Sequence, residues 1–111
     1  MKIKTQDYNE VTVIETLGEL DSESVEMFKD IITRLIGTNR TGIVIDMRAT
    51  EFIDSCGLEK LLWARDYCDQ NACQLKLVGL DDNCRKILEI TRLEKEFDCY
   101  CELAEAVKSF A

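Results

Sequence analysis

The run Ile43-Val44-Ile45, followed by Asp46 and Met47, is apolar at consecutive positions, not at alternate ones. A strand that reads this way is covered on both faces, as a central strand of a parallel sheet is. Parallel strands need long crossover connections, usually helices, so this one segment predicts an α/β chain. The flanking sequence agrees. Val11-Thr12-Val13-Ile14 reads as a strand, with a weaker candidate over residues 2–6 before it. Gly18-Glu19-Leu20-Asp21 closes that hairpin region, and Asp21 or Ser22 offers a helix cap. Val25, Phe28, Ile32, Leu35 and Ile36 recur at helical spacing, and Gly37 is placed as the left-handed residue ending that helix.

Residues 41–47 form the buried strand, and a short connection over residues 48–55 leads into a second helix. Leu58, Leu61, Leu62 and Cys68 mark its inner face. Residues 74–78 read as the next strand, ended by Gly79. Asp81 and Asp82 sit where anions favour a helix start, and Cys84, Ile87, Leu88 and Thr91 line the helix that follows. Phe97, Cys99 and Cys101 alternate with Asp98 and Tyr100 as a period-two strand, and a last helix covers residues 103–110. The order β-β-α-β-α-β-α-β-α predicts one domain over residues 1–111, a mostly parallel sheet with helices packed against it. Helix starts are expected near Ser22, Cys56 and Asp81, with residues 43–46 as a central strand.

Composition narrows the function. At 111 residues, 46% apolar and 32% charged, the chain suits one globular core. Fourteen basic against twenty-two acidic residues give a net charge of −8, a field that repels nucleic-acid phosphates and anionic lipid. Neither nucleic-acid binding nor membrane insertion is expected. Histidine is absent, which removes the commonest general acid/base, the Ser–His and Cys–His nucleophile pairs and every His-containing metal site. No cofactor is called for.

The six cysteines, Cys56, Cys68, Cys73, Cys84, Cys99 and Cys101, include no C-x-x-C pair. The first ten residues carry no apolar core of a signal peptide. A cytoplasmic chain with reduced thiols is the expectation, most of those thiols acting as small core hydrophobes. Cys99 and Cys101 share a strand face but lack the further ligands a metal needs. Asp81-Asp82 reads as capping, and Arg85-Lys86 as part of a solvated face.

Phe52-Ile53-Asp54-Ser55-Cys56-Gly57-Leu58, with Gly18-Glu19-Leu20-Asp21 upstream, resembles the STAS domain shared by sulphate-transporter tails and bacterial anti-sigma factor antagonists. Residues 75–79 and Ile90-Thr91-Arg92-Leu93 also match, with Arg92 standing where the family usually has glycine. The resemblance covers essentially the whole chain. It implies a non-enzymatic regulator that binds an anti-sigma factor of the serine-kinase type and frees a sigma factor for transcription. It also implies that Asp21 lies close to the Asp54 loop as a partner contact. The family's phosphoacceptor, the second serine of its D-S-S-G-L pattern, falls on Cys56 here.

The loop has a physical reading of its own. Asp54 or Ser55 can accept bonds from first-turn amides, and Gly57 leaves room for backbone or ligand to approach. Together with Leu58 these residues support the switch position. Three readings of Ser55-Cys56 stand side by side. In the first, Cys56 is a small turn residue and binding is constitutive. In the second, Ser55 accepts phosphate instead. In the third, Cys56 is a thiol switch at a helix start, against the acidic neighbours Glu51, Asp54 and Glu59.

Trp63 and Tyr67, four residues apart, share a helix face that points away from Leu58, Leu61 and Leu62. Exposed, they would extend the loop into a partner surface; covered by the last helix or a sheet edge, they are core. Two rival functions remain beside the anti-sigma reading. One is a small cytoplasmic subunit of a lipid-transport ATPase complex; the other is a redox protein using Cys56. Self-association is left open.

Overall fold

The computed structural model describes residues 2–8, 10–38 and 40–110. Five strands form one sheet: β1 (Lys2–Tyr8), β2 (Val11–Leu20), β3 (Gly42–Ile53), β4 (Gln74–Val78) and β5 (Asp98–Tyr100). They lie in the order β1-β2-β3-β4-β5. β1 runs antiparallel to β2 and every other neighbour pair is parallel. The helices are α1 (Val25–Gly37), α2 (Ser55–Gln70), α3 (Asp82–Ile90) and α4 (Leu103–Lys108), with a 3-10 turn at Glu94–Glu96.

Parallel strands laid down in sequence order put every right-handed crossover on the same face. The packing follows that rule. Ile14, Ile43, Ile45, Leu75 and Leu77 meet Phe28 and Ile32 of α1, Leu61, Ala64 and Cys68 of α2, and Cys84 and Leu88 of α3. The opposite face carries Val11, Val13, Val44 and Val78, and its helical cover is the short α4 with Ala106 and Val107. Lys76, 5% exposed on β4, ties that cover down. Its Nζ donates to Ser109 Oγ at 2.5 Å and lies 4.3 Å from the centre of the Phe110 ring.

Several local expectations need correction. The antiparallel pairing of β1 and β2 closes at Tyr8 opposite Val11, so residues 18–20 lie inside β2 and do not end the hairpin. Gly37 is the last residue of α1, and Thr38 caps it by donating from its hydroxyl to the Leu35 carbonyl at 2.7 Å. The first helix starts at Val25 because residues 21–24 form a turn of their own. There Asp21 Oδ1 accepts from the Glu23 amide and the Ser24 hydroxyl.

The largest difference is β3, which continues through the expected connection to Ile53. Beyond Asp46 it pairs with β2 alone, and of residues 48–53 Thr50 and Ile53 are buried while the other four are exposed. The register shift between Glu15 and Leu17 accommodates the extension. There the buried Thr16 and Thr50 hydroxyls bond each other at 2.5 Å, which satisfies both polar groups inside the sheet.

Thr91 caps α3 from an exposed position and does not line its inner face. Half of the cysteines, not most, are core: Cys68, Cys73 and Cys84 are buried, while Cys56, Cys99 and Cys101 are exposed. The expected last strand over residues 97–101 shortens to β5, a three-residue edge; Phe97 before it is buried, but Cys99 and Cys101 are not.

Candidate functional site

The site is built where β2 and β3 end side by side, Leu20 opposite Ile53. Each parallel strand releases its chain there into a helix start. The Asp54 amide donates to the Leu20 carbonyl at 3.3 Å, which pins the loop after β3 to the end of β2. Asp54 is the N-cap of α2, and its Oδ1 accepts from the Gly57 amide at 2.9 Å. The Asp54 carbonyl accepts the Leu58 amide at 2.9 Å and closes the first helical turn.

Gly57 answers the close approach expected of it, and what approaches is backbone. A Cβ there would lie 2.2 Å from the Leu20 carbonyl oxygen and 3.0 Å from Ile53 Cγ1. Asp21, next after Leu20, therefore stands at the strand end adjacent to Asp54 and is half-buried. With Gly57 turned inward, Ser55 and Cys56 face solvent. The structure thus brings together Asp21, Asp54, Ser55, Cys56 and Gly57, with Leu58 half-buried beneath them.

Gly57, Leu61, Ala64 and Cys68 form the buried stripe of α2. Cys56, Lys60, Trp63 and Tyr67 follow the same 4-3-4 spacing one residue earlier, so the aromatic pair continues the stripe that begins at Cys56. Of the two alternatives left open, exposed pair or covered core, the structure gives Trp63 and Tyr67 a state in between. They stack with ring centres 5.1 Å apart and 13° between planes, half-buried against the main core. Lys29 of α1 and Lys60 reach over the Trp63 ring at 5.9 and 5.5 Å. The partial cover comes from α1, not from the last helix.

Sequence reasoning passed over the exposed apolar residues around the loop. Met27 is 51% exposed and shares a depression with Asp21, Glu19, Glu23 and Ser24. Phe52, two residues before Asp54, is 48% exposed, and Ile90 on α3 is 73% exposed. Phe52 and Ile90 border one groove of about 290 Å³ between the end of β3 and α3, with Ile53 and Ile87 in its floor. Phe52 stood in the quoted motif; its exposure follows only from the unforeseen length of β3.

The second predicted cap is present: Asp81 Oδ1 accepts the Cys84 amide at 2.8 Å. Burial, reinforced by Asp81, pushes the Cys84 thiol up to about 12. Arg85 and Lys86 are exposed. Among the described residues no three acidic, thiol or imidazole groups gather as a metal site, and no helix is long and apolar enough to cross a membrane.

Known proteins are similar to this chain in sequence and in fold. The anti-sigma-F factor antagonist RsfB of Mycobacterium tuberculosis is 27% identical over 105 residues, 95% of this chain and 85% of RsfB. A STAS-domain containing protein of Pseudomonas aeruginosa is 32% identical over 95 residues, 86% of this chain and 92% of that protein. The anti-sigma factor antagonist SpoIIAA in its unphosphorylated form superposes with a TM-score of 0.83 at 23% identity, covering 98% of this chain and 96% of its own. The Bacillus SpoIIAA in its phosphorylated form gives 0.77, again at 23% identity, covering 99% and 100%. The STAS domain pattern itself matches residues 2–106, and the chain belongs to the STAS domain family.

Proposed function

We propose that this chain is a bacterial anti-sigma factor antagonist: a cytoplasmic, non-catalytic protein that occupies an anti-sigma factor of the serine-kinase type and so frees a sigma factor. Relatives bearing that name cover nearly the whole chain. The observation that carries the reading is local. Three of the exposed large apolar side chains, Met27, Phe52 and Ile90, lie around the motif loop and its neighbouring grooves. Apolar groups left in water beside a polar turn mark a protein-binding face.

In this reading the contact face runs from Asp21 across Asp54, Ser55 and Cys56 and along α2 to Trp63 and Tyr67. Glu19, Glu23, Glu51 and Glu59 rim it, so the partner presents basic groups around an apolar centre. Gly57 and Leu58 hold the loop from beneath. Cys56 takes the place of the phosphoacceptor, and binding is therefore constitutive. A phosphate would bring roughly −1.5 to −2 charges to this turn; a thiol does not accept one from a serine kinase.

The test uses the purified protein, the anti-sigma factors of its organism, and ATP. Wild type should bind one of them and stay bound when ATP is added. Cys56→Ser should become phosphorylated and dissociate, and Cys56→Asp should bind weakly from the start. Phe52→Ala should weaken binding by about 30-fold, the effect of losing a hot spot of about 2 kcal/mol. Stoichiometric phosphate on Ser55 with release would replace the constitutive reading by a shifted acceptor. Failure to bind any anti-sigma factor would remove the assignment itself.

A further inference from the structure

The C-terminal end of α2 brings two buried thiols together for a reason that lies in the backbone. Ala72 is left-handed at φ 56°, and the Cys73 amide donates back to the Cys68 carbonyl at 2.9 Å. This is the six-to-one closure in which the third-last helical residue and the second residue past the cap pack side chain to side chain, as an apolar pair. α3 ends in the same way. Arg92 is left-handed at φ 61°, the Leu93 amide donates to the Leu88 carbonyl at 2.8 Å, and the paired side chains are Leu88 in the main core and Leu93 packed against it.

At the end of α2 the same two seats hold Cys68 and Cys73, 0% and 2% exposed in that core. The 2.9 Å bond and standard backbone lengths keep their Cα atoms within about 7 Å, near the upper limit for a disulfide. The interaction between the two thiols holds the Cys73 thiol below its ordinary value and, with burial, the Cys68 thiol above it. The residues between them, 69–72, are all exposed, so opening of this last turn alone admits a small reagent.

We propose that Cys68 and Cys73 form a reversibly oxidisable dithiol, converted to an intramolecular disulfide by a small-molecule disulfide of the oxidised-glutathione class. The Cys73 thiolate attacks one sulfur of the reagent, releasing one small thiol and leaving a mixed disulfide on Cys73. The Cys68 thiolate then attacks the Cys73 sulfur and expels the second small thiol. The protein gives up two electrons and two protons, and the reagent gains both as two thiols. The bridge closes the turn that joins α2 to β4, constrains the unfolded chain and raises the thermal midpoint.

The test needs no variant to begin. Trypsin cuts after Arg65 and after Lys76, so both cysteines fall in one peptide, residues 66–76. The whole native protein is treated with oxidised glutathione, quenched in acid, alkylated under denaturing conditions and digested. The expected peptide is unalkylated and about two hydrogen masses lighter than the dithiol, and dithiothreitol restores two alkylation sites. Cys68→Ala should stop at a glutathione adduct on Cys73. The proposal is overturned if peptide 66–76 stays doubly alkylated while the exposed Cys56, Cys99 and Cys101 have reacted. It is equally overturned if the wild type accumulates the Cys73 adduct without the bridge.

Discussion

Replacing Gly57 by alanine adds one methyl group at the point where α2 leaves the sheet. On the present backbone that carbon would lie 2.2 Å from the Leu20 carbonyl oxygen. Van der Waals contact requires about 1 Å more, and the obstacle is backbone that cannot rotate away as a side chain could. The helix start and the end of β2 must therefore separate. Overpacking of this kind costs about 1–3 kcal/mol. The displacement also strains the Asp54 cap, worth about 1 kcal/mol, and the bond from the Asp54 amide to Leu20, worth about another. Against these stands a gain of up to about 1 kcal/mol in helix propensity. The net expectation is a loss of about 2 kcal/mol or more.

Urea denaturation reads this directly. With a slope of about 1–3 kcal/mol per molar urea, the midpoint should fall by about 1 M with the slope unchanged. Gly37→Ala is the control inside the same molecule. Gly37 ends α1 without a positive φ, and a Cβ there meets nothing within 4 Å. Relieved of clash, the same substitution should stabilise by about 0.4–1 kcal/mol. If both variants unfold within 0.5 kcal/mol of wild type, the close approach at Gly57 does not constrain the fold and the argument fails.

Two further outcomes follow from backbone and burial. Arg92→Gly removes a side chain from a left-handed position and should stabilise by about 0.5–1 kcal/mol, seen as a higher thermal midpoint; an unchanged or lower midpoint refutes the strain. Burial raises the Cys84 thiol from its ordinary 9.0 to about 12, so the unfolded chain releases that proton first as pH rises. The stability this thiol contributes is complete below pH 9.0 and is lost towards pH 12, and Cys84→Ala should flatten stability over that window; parallel wild-type and variant curves between pH 9.0 and pH 12 would refute it.

The caps of the second and third helices were legible because their signals are local. Asp54 and Asp81 cap the helices expected after them, and the strand over residues 74–78 has the foreseen limits. Val44 and its neighbours are central because a run without polar alternation has no face to offer water. Even the family glycine absent at Arg92 left a mark, since the arginine holds the left-handed geometry that glycine favours. Errors arose where one element leans on another. β3 runs to Ile53 because β2 bulges and supplies a partner beyond the point where β4 stops.

Periodicity says which residues share a face of one element; it does not say what covers that face. The sequence alone determined the order of elements, the caps at Asp54 and Asp81, and the loop around Cys56 that carries the resemblance. The tertiary structure decided that the strands lie in sequence order, which gathers three helices on one face and leaves the other to α4. It also half-buried the aromatic pair beside α1 and exposed Phe52 and Ile90. Those contacts depend on distant segments meeting, and their free energy belongs to the meeting, not to either segment read alone.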